Sequence, residues 1–407
     1  MEICYYFMIM PINTDKEKIK DILTRGVEEV IDFNHLKGRM EKGEILRVKF
    51  GVDPTGPKIH LGRAVPLRKL RAFQDMGHKI VLIVGDFTAR IGDPSDKLEK
   101  RPMLSKEEIE NNMKDYAVQL GKILDMDKVE VHYNSQFLSK LNLEEISELA
   151  ESFSVGQMLA RRNFKDRFEK GEEISIREFL YPLMQGYDSL AVSADLEIGG
   201  FDQLFNLKAG RIVQKHYGKP EQDILITKMV EGTDGRKMST SWGNVITIVD
   251  EPNEMFGRLM SINDELITKY LLLATDMPEL EIVDIGGRME KGELNPRDAK
   301  MKLAQMVVEI YYGKDVAERA KNNFIETFQK GGAPEDVREV EVESGISLSD
   351  VLLGEGLVSS KADFRRLVEG NAIEADEEKI TDNLYKIHKS FLVKVGKHRF
   401  LKIKIKD

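Results

Sequence analysis

Over the first 250 positions, runs of consecutive apolar residues alternate with stretches in which they recur every three or four. The run from Ile45 to Val52 reads as a buried strand; it turns at Asp53-Pro54-Thr55-Gly56-Pro57 and gives way to a helical spacing carrying Leu67, Leu70 and Phe73. Gly77 stands where a helix C-terminus takes a left-handed residue, and Ile80 to Val84 follows as a second strand. Strand, crossover helix and strand in this order imply a parallel sheet, with a ligand crevice beyond the carboxyl ends of its strands. From about 105 to 180 the pattern is mostly helical and charge-rich, broken by a strand-like Val129 to Tyr133, and it predicts an insertion between two halves of the sheet. Strand signals return at Asp195 to Ile198, with a turn at Gly199-Gly200, a helix from Gln203 to His216 and a strand from Asp223 to Val230. The expected architecture is α/β: a doubly wound, Rossmann-like parallel-sheet domain over residues 1–248.

Beyond Asp250 helical spacing takes over as far as Phe328, with Leu266, Tyr270 and Leu273 on one face, which predicts a helical domain over 249–330. Lys330-Gly331-Gly332-Ala333-Pro334 and the acidic run after it read as a linker over 331–344, and 345–407 as a small α+β domain. The phrase GRMEKGE occurs at Gly38 and again at Gly287, but its flanks do not match, so it is a chance recurrence and not a repeat.

Composition narrows the class. With 41% hydrophobic and 32% charged residues the chain is globular and not disordered. No apolar stretch approaches the ~20 residues that cross a bilayer, so no membrane partner is expected. Cys4 is the only cysteine, which excludes an internal disulfide and a cysteine zinc site and points to the cytoplasm. The opening MEICYYFMIM lacks the basic start and small-residue cleavage site of a secretory signal, and a start at Met8 or Met10 is the expectation. Sixty-one basic against 70 acidic residues give a net charge of −9, so any contact with nucleic acid has to be local.

Neither G-x-G-x-x-G nor a P-loop is present, and none of the seven histidines has zinc-protease spacing, so no protein-ligated metal is expected. Two segments could serve a phosphate. His60-Leu61-Gly62-Arg63 opens a helix after a buried strand, where unpaired N–H groups and the helix dipole favour an anion. Lys237-Met238-Ser239-Thr240-Ser241, behind Gly232-Thr233-Asp234-Gly235-Arg236, combines a cation with several hydroxyls on a glycine-bearing loop. Taken singly, each is also what a capped helix start or a solvated turn looks like.

Together the two segments resemble the histidine-bearing and lysine-serine signatures of class I aminoacyl-tRNA synthetases. Phe50 to Thr55, Tyr181-Pro182-Leu183-Met184-Gln185-Gly186-Tyr187-Asp188 and Gly199-Gly200-Phe201-Asp202-Gln203 are similar to the amino-acid-pocket motifs of the bacterial tyrosyl-tRNA synthetases. The resemblance implies attack of the tyrosine carboxylate on the α-phosphate of ATP, loss of pyrophosphate, and transfer of tyrosine to a terminal ribose hydroxyl of tRNA(Tyr), with catalysis by positioning and charge stabilisation. It implies Thr55, His60, Lys237 and Ser239 as catalytic residues. Gly51, Asp53, Gly62, Arg63, Lys97, Arg101, Lys237 and Thr240 would meet ATP, which enters with Mg2+. Asp188 would face the phenol hydroxyl, Tyr181, Gln185 and Asp93 the α-amino group, and Gln203 the carboxyl end. The family usually has a second histidine where Arg63 stands, a small hydroxyl residue at Phe201, a second lysine at Thr240 and, in one branch, a tyrosine near Lys49-Phe50.

The segment from Ser360 to Gly370 resembles an S-four-type RNA-binding domain, with Lys361, Arg365 and Arg366 on one helix and a basic tail at Lys402, Lys404 and Lys406. Family likeness also implies a homodimer, with its contact in the insertion near Phe153 to Phe168. Two other readings stay open at this point: a synthetase-like paralogue acting on a modified tyrosine or another acceptor, and a catalytically weak RNA-binding protein.

Overall fold

The structure is a computed structural model that describes residues 12–54, 58–93, 105–239, 242–329, 337–358, 360–376, 378–396 and 399–406. Met8, Met10, Thr55, Lys97, Arg101 and Thr240 therefore lie outside the described residues. The chain divides into two compact units, 1–317 and 318–407.

In the first unit, six strands form one sheet: β1 (Val27–Ile31), β2 (Arg47–Val52), β3 (Lys79–Val84), β4 (Val129–Tyr133), β5 (Leu196–Gly200) and β6 (Asp223–Thr227), in the spatial order β1-β6-β5-β2-β3-β4. All neighbours are parallel except β1, which runs antiparallel to β6. Strand order reverses between β2 and β5, and the signature segments leave the carboxyl ends of the strands on either side of that reversal. Ile80 to Val84 and all of β6 are buried on both faces, which explains their unbroken apolar runs. The helices Ile176–Ala191 and Leu204–His216 pack closely because Gly186 allows it. A Cβ on Gly186 would come within 2.7 Å of Val213 Cγ2 and 3.0 Å of the Ala209 carbonyl oxygen. Gly77 has φ +95°, as its place at a helix end requires.

Two expectations are corrected here. Val129–Tyr133 is the edge strand of the main sheet, paired in parallel with β3, and does not belong to an insertion. Its Glu130 and His132 interrupt the apolar run because a strand with one open side need not be apolar throughout. β1 was not anticipated for the same reason: Glu28 and Glu29 are exposed at the opposite edge. Gly199 and Gly200 end β5 and are not a turn.

Helices Pro252–Met260, Ile267–Ala274, Glu279–Glu290 and Pro296–Tyr312 follow, as the spacing predicts. They belong to the same compact unit as the sheet, tied by Tyr270 Oη to the Glu231 carbonyl (2.6 Å), Tyr312 Oη to the Asp250 carbonyl (2.7 Å) and Arg68 to Asp276 (2.6 Å). Among the described residues no helix is long and apolar enough to cross a membrane.

The second unit holds β7 (Glu339–Val342), β8 (Ile373–Ala375), β9 (Glu378–Lys379), β10 (Phe391–Val395) and β11 (Arg399–Ile405), ordered β7-β11-β10-β8-β9. Leu348, Leu352, Phe364, Val393, Leu401 and Ile403 form its core beneath the helices Leu348–Gly354 and Lys361–Glu369. β7 lies in the stretch expected to be linker: Glu339–Val342 pairs in parallel with β11, so the ordered module starts before 345. Lys402 and Lys404 both close on Glu339, which takes up much of the charge expected from the basic tail.

Candidate active site

The histidine segment and the lysine loop meet. His60 and Thr247 form an isolated antiparallel bridge, with Leu61 N–H donating to the Ile246 carbonyl (2.8 Å) and Ile248 N–H to that of Ile59 (2.9 Å). Met238, between Lys237 and Ser239, places its Sδ 3.4 Å from the Gly62 main-chain nitrogen. His60 caps the helix Leu61–Asp75: its Nδ1 accepts from Arg63 N–H (3.3 Å). An Nδ1 that accepts puts the proton of a neutral imidazole on Nε2, which makes Nε2 a donor. At Gly62 a Cβ would stand 3.1 Å from His60 Nδ1, so glycine preserves this cap. At Gly51 a Cβ would meet nothing within 4 Å, so a ligand has room above that backbone.

Asn244 shapes the lysine loop, and no motif pointed to it. Its side chain is buried; Oδ1 accepts from Ser239 N–H (2.8 Å), and Nδ2 donates to the Lys237 carbonyl (3.0 Å) and to Asp234 Oδ1 (2.8 Å). Those bonds and the Arg236 guanidinium hold the Asp234 carboxyl down at about 2. Lys237 Nζ reaches Asp202 Oδ2 (3.2 Å), just past the end of β5. Arg63 points its Nη1 at the buried hydroxyl of Tyr116 (2.7 Å), so the residue standing at the second signature histidine also braces the helix from the side.

On the other side of the reversal, five side chains form a continuous polar chain. Asp188 Oδ2 accepts from Asn134 Nδ2 (3.4 Å), which also donates to Thr88 Oγ1 (3.0 Å); Thr88 donates to Asp53 Oδ1 (2.8 Å), and Tyr181 Oη donates to Asp53 Oδ2 (2.8 Å). Asp53, expected at ATP, thus orients Tyr181, whose hydroxyl burial pushes well above its usual range. Gly85 makes room for this chain, since a Cβ there would fall 1.9 Å from Asp53 Oδ1. Asp93 accepts from Gln203 Nε2 (2.7 Å) and lies 3.5 Å from Arg161 Nη2, a buried cation over the rings of Phe164 and Phe205 that sequence reasoning missed. Tyr181, Gln185 and Asp188 share one face of the helix Ile176–Ala191, as spacings of three and four dictate. Phe201, half exposed, lines a cleft of about 760 Å³ with Lys228, Met229 and Lys269.

Asp188 is the electrostatic outlier. Only 3% of it is exposed, and its Oδ1 has no hydrogen-bond partner among the described residues. Burial raises its pKa from 3.8 to about 8, against the downward pull of Lys49 and Asn134. A carboxyl whose folded pKa lies above its unfolded one stabilises the fold fully below the unfolded value, near pH 4, and that contribution is lost as pH rises through 8. With Asp188→Asn the lost term disappears. The melting temperature of the ligand-free variant is expected to gain on that of the parent as pH goes from 5 to 9, and a constant difference would contradict this.

Lys361, Arg365 and Arg366 are exposed on one helix of the second unit; Lys361 pairs with Asp350 and Arg366 with Asp363, both at 2.7 Å. Among the described residues, the one group of three side chains able to hold a metal is Asp32, His35 and Asp223. Asp223 begins β6, at the end of the sheet opposite the signature segments.

A doubly wound sheet with a histidine-led helix start and a lysine loop joined over its switch point defines a nucleotide-handling enzyme. The chain belongs to the family described as tRNA synthetases class I (W and Y), which matches residues 41–329. It is 45% identical over 393 residues to the tyrosine–tRNA ligase of Thermotoga maritima, covering 96% of this chain and 98% of that one. It is 44% identical to the same enzyme of Carboxydothermus hydrogenoformans, covering 97% and 99%. A solved, C-terminally truncated mitochondrial tyrosyl-tRNA synthetase of Aspergillus nidulans superposes with a TM-score of 0.62 at 25% identity, over 76% of this chain and 94% of that one. The Archaeoglobus fulgidus tyrosyl-tRNA synthetase complexed with L-tyrosine gives 0.60 at 22% identity, over 75% and 100%.

Proposed function

We infer that the chain is a tyrosine–tRNA ligase, which activates L-tyrosine with ATP and transfers it to tRNA(Tyr). One observation carries the residue assignment: Asp188, buried with a bare carboxyl oxygen, ends the polar chain that begins at Tyr181. A phenol hydroxyl fits that oxygen. The α-ammonium then falls to Tyr181, Gln185 and Asp93, and the carboxyl end to Gln203.

His60 Nε2–H would face the phosphates from one side, and Lys237 with Ser239 from the other; the first N–H groups of the helix are already taken, Leu61 by the Ile246 carbonyl, Gly62 by Met238 Sδ and Arg63 by His60. The cation and the helix dipole stabilise the charge that builds on the pentacoordinate α-phosphate and on the leaving pyrophosphate. Thr55, Lys97, Arg101 and Thr240 would complete the ATP contacts beside Gly51, Gly62 and Arg63. Mg2+ would enter with the triphosphate and offset the charge of its oxygens.

Residues 249–330 would read the anticodon, and Lys361, Arg365 and Arg366 would meet RNA phosphates from the terminal module. The protein would work in the cytoplasm as a homodimer. Val131, Tyr133, Leu143, Val155, Phe168 and Ile176 are exposed apolar side chains within 131–176, which supports a subunit contact there. Phe168→Glu is expected to shift the sedimenting species from dimer to monomer; an unchanged mass would remove this surface. The function itself is tested by tyrosine-dependent exchange of pyrophosphate into ATP and by charging of tRNA(Tyr). Exchange without charging would favour the paralogue reading.

A further inference from the structure

Below the tyrosine subsite lies a charge pair that the motifs do not account for. Lys49 of β2 and Glu197 of β5 are register partners on adjacent parallel strands, both fully buried, with Nζ 2.9 Å from Oε1. Lys49 also donates to the main-chain oxygen of Gln185 (3.0 Å) and to Ser189 Oγ (2.7 Å), which uses all three ammonium protons. Glu197 Oε2 accepts from Ser189 Oγ (3.0 Å) and Gln222 Nε2 (2.5 Å), and its Oε1 accepts from Gln185 Nε2 (3.2 Å). Gly210 leaves room for this arrangement, since a Cβ there would come 2.3 Å from Gln222 Nε2 and 2.8 Å from Ser189 Oγ. Burying two ions in a sheet seldom stabilises a fold more than packed apolar residues do, so the pair calls for another reason.

That reason lies in the two faces of a carboxamide. An ionised carboxylate only accepts, so Glu197 takes the Nε2 face of Gln185 and turns Oε1 the other way. A substrate ammonium only donates, and an oxygen face is what it needs. Gln185 sits one helical turn from Tyr181, whose hydroxyl proton is spent on Asp53 and whose oxygen remains able to accept. We propose that the Lys49–Glu197 pair is a positioning device that fixes the Gln185 amide with Oε1 toward the α-ammonium of tyrosine, so that the pocket selects for substrates bearing that amine. Lys49 holds the anion in place and anchors the Gln185 backbone; Glu197 sets the orientation of its side chain. The proposal rests on the reading of Gln185 as an ammonium contact.

The test uses two ligands that differ only in the amine, tyrosinol and 3-(4-hydroxyphenyl)propan-1-ol, with binding to the full-length protein followed by calorimetry. The parent is expected to prefer tyrosinol by ~10-fold or more, the scale of one charge-assisted hydrogen bond. In Glu197→Gln, and in the uncharged double variant Lys49→Met with Glu197→Gln, the replacement amide can present either face to Gln185. There the preference is expected to fall to ~2-fold or less while affinity for the des-amino alcohol changes little. A variant that keeps the parent's preference overturns the proposal. So does an equal loss of both affinities, the signature of a merely structural role. A parent with no preference removes the Gln185 reading itself, and the proposal with it. The double variant, free of unpaired buried charge, keeps the measurement open if Glu197→Gln alone does not fold.

Discussion

Replacing His60 by alanine is expected to slow tyrosyl-adenylate formation about 10²–10³-fold while tyrosine affinity barely changes, the size of loss that follows removal of one preorganised donor from a developing charge. Nδ1 is committed to Arg63 N–H, so the ring is held in one tautomer and one orientation with Nε2–H as its working end. The charge that this donor meets exists mainly in the transition state, so its removal reaches the rate and spares ground-state binding. Alanine also removes the cap, which costs about 0.5–2 kcal/mol of stability. His60→Asn separates the two roles: asparagine caps helices well but cannot place a donor where the imidazole Nε2–H stands. The variant is expected to melt close to the parent and still activate tyrosine slowly. Single-turnover adenylate formation and thermal melting together check this; asparagine restoring full rate would reduce His60 to a cap.

Asp188→Val is expected to collapse the preference for tyrosine over phenylalanine by about 10²-fold or more, because the change acts on both substrates. In the parent, phenylalanine would leave the buried Oδ1 without a partner, whereas tyrosine would satisfy it. In the variant the phenol hydroxyl is the group left unpaired, at about 1–3 kcal/mol, and phenylalanine no longer carries a penalty. kcat/KM for tyrosine in pyrophosphate exchange should fall and that for phenylalanine should rise. A variant that loses activity with both amino acids equally would show that Asp188 holds the pocket's shape and does not read the phenol.

Much of this was legible in the chain. β3 and β6 were readable because both-face burial writes continuous apolar runs, and the helix Leu61–Asp75 because its apolar residues recur at helical spacing. β1 was not, because an edge strand carries Glu28 and Glu29 at no cost; Val129 to Tyr133 read as a strand, but its Glu130 and His132 hid its place at the edge of the main sheet. In the candidate site, the residues proposed to meet a ligand fall in short contiguous segments and could be named. The residues that hold them in place come from elsewhere: Asn244 behind the lysine loop, Asn134 and Thr88 between Asp188 and Asp53, and Arg161 against Asp93. Such partners are ordinary polar residues until the fold brings them within 3 or 4 Å of a motif, and no spacing rule marks them. Lys49 and Glu197 could have raised a flag, since a charge inside a buried strand is rare and asks for a partner.

In the proposed function the His60 helix start and the Lys237 loop, bridged at Thr247 and touching at Met238, act together on one triphosphate. A double-mutant cycle on single-turnover adenylate formation, with His60→Ala, Lys237→Ala and the pair combined, measures it most directly. The account predicts that each single change slows activation at least 10²-fold and that the two couple by about 1 kcal/mol or more. Rates close to the parent for either single variant, or strictly additive effects, would contradict it.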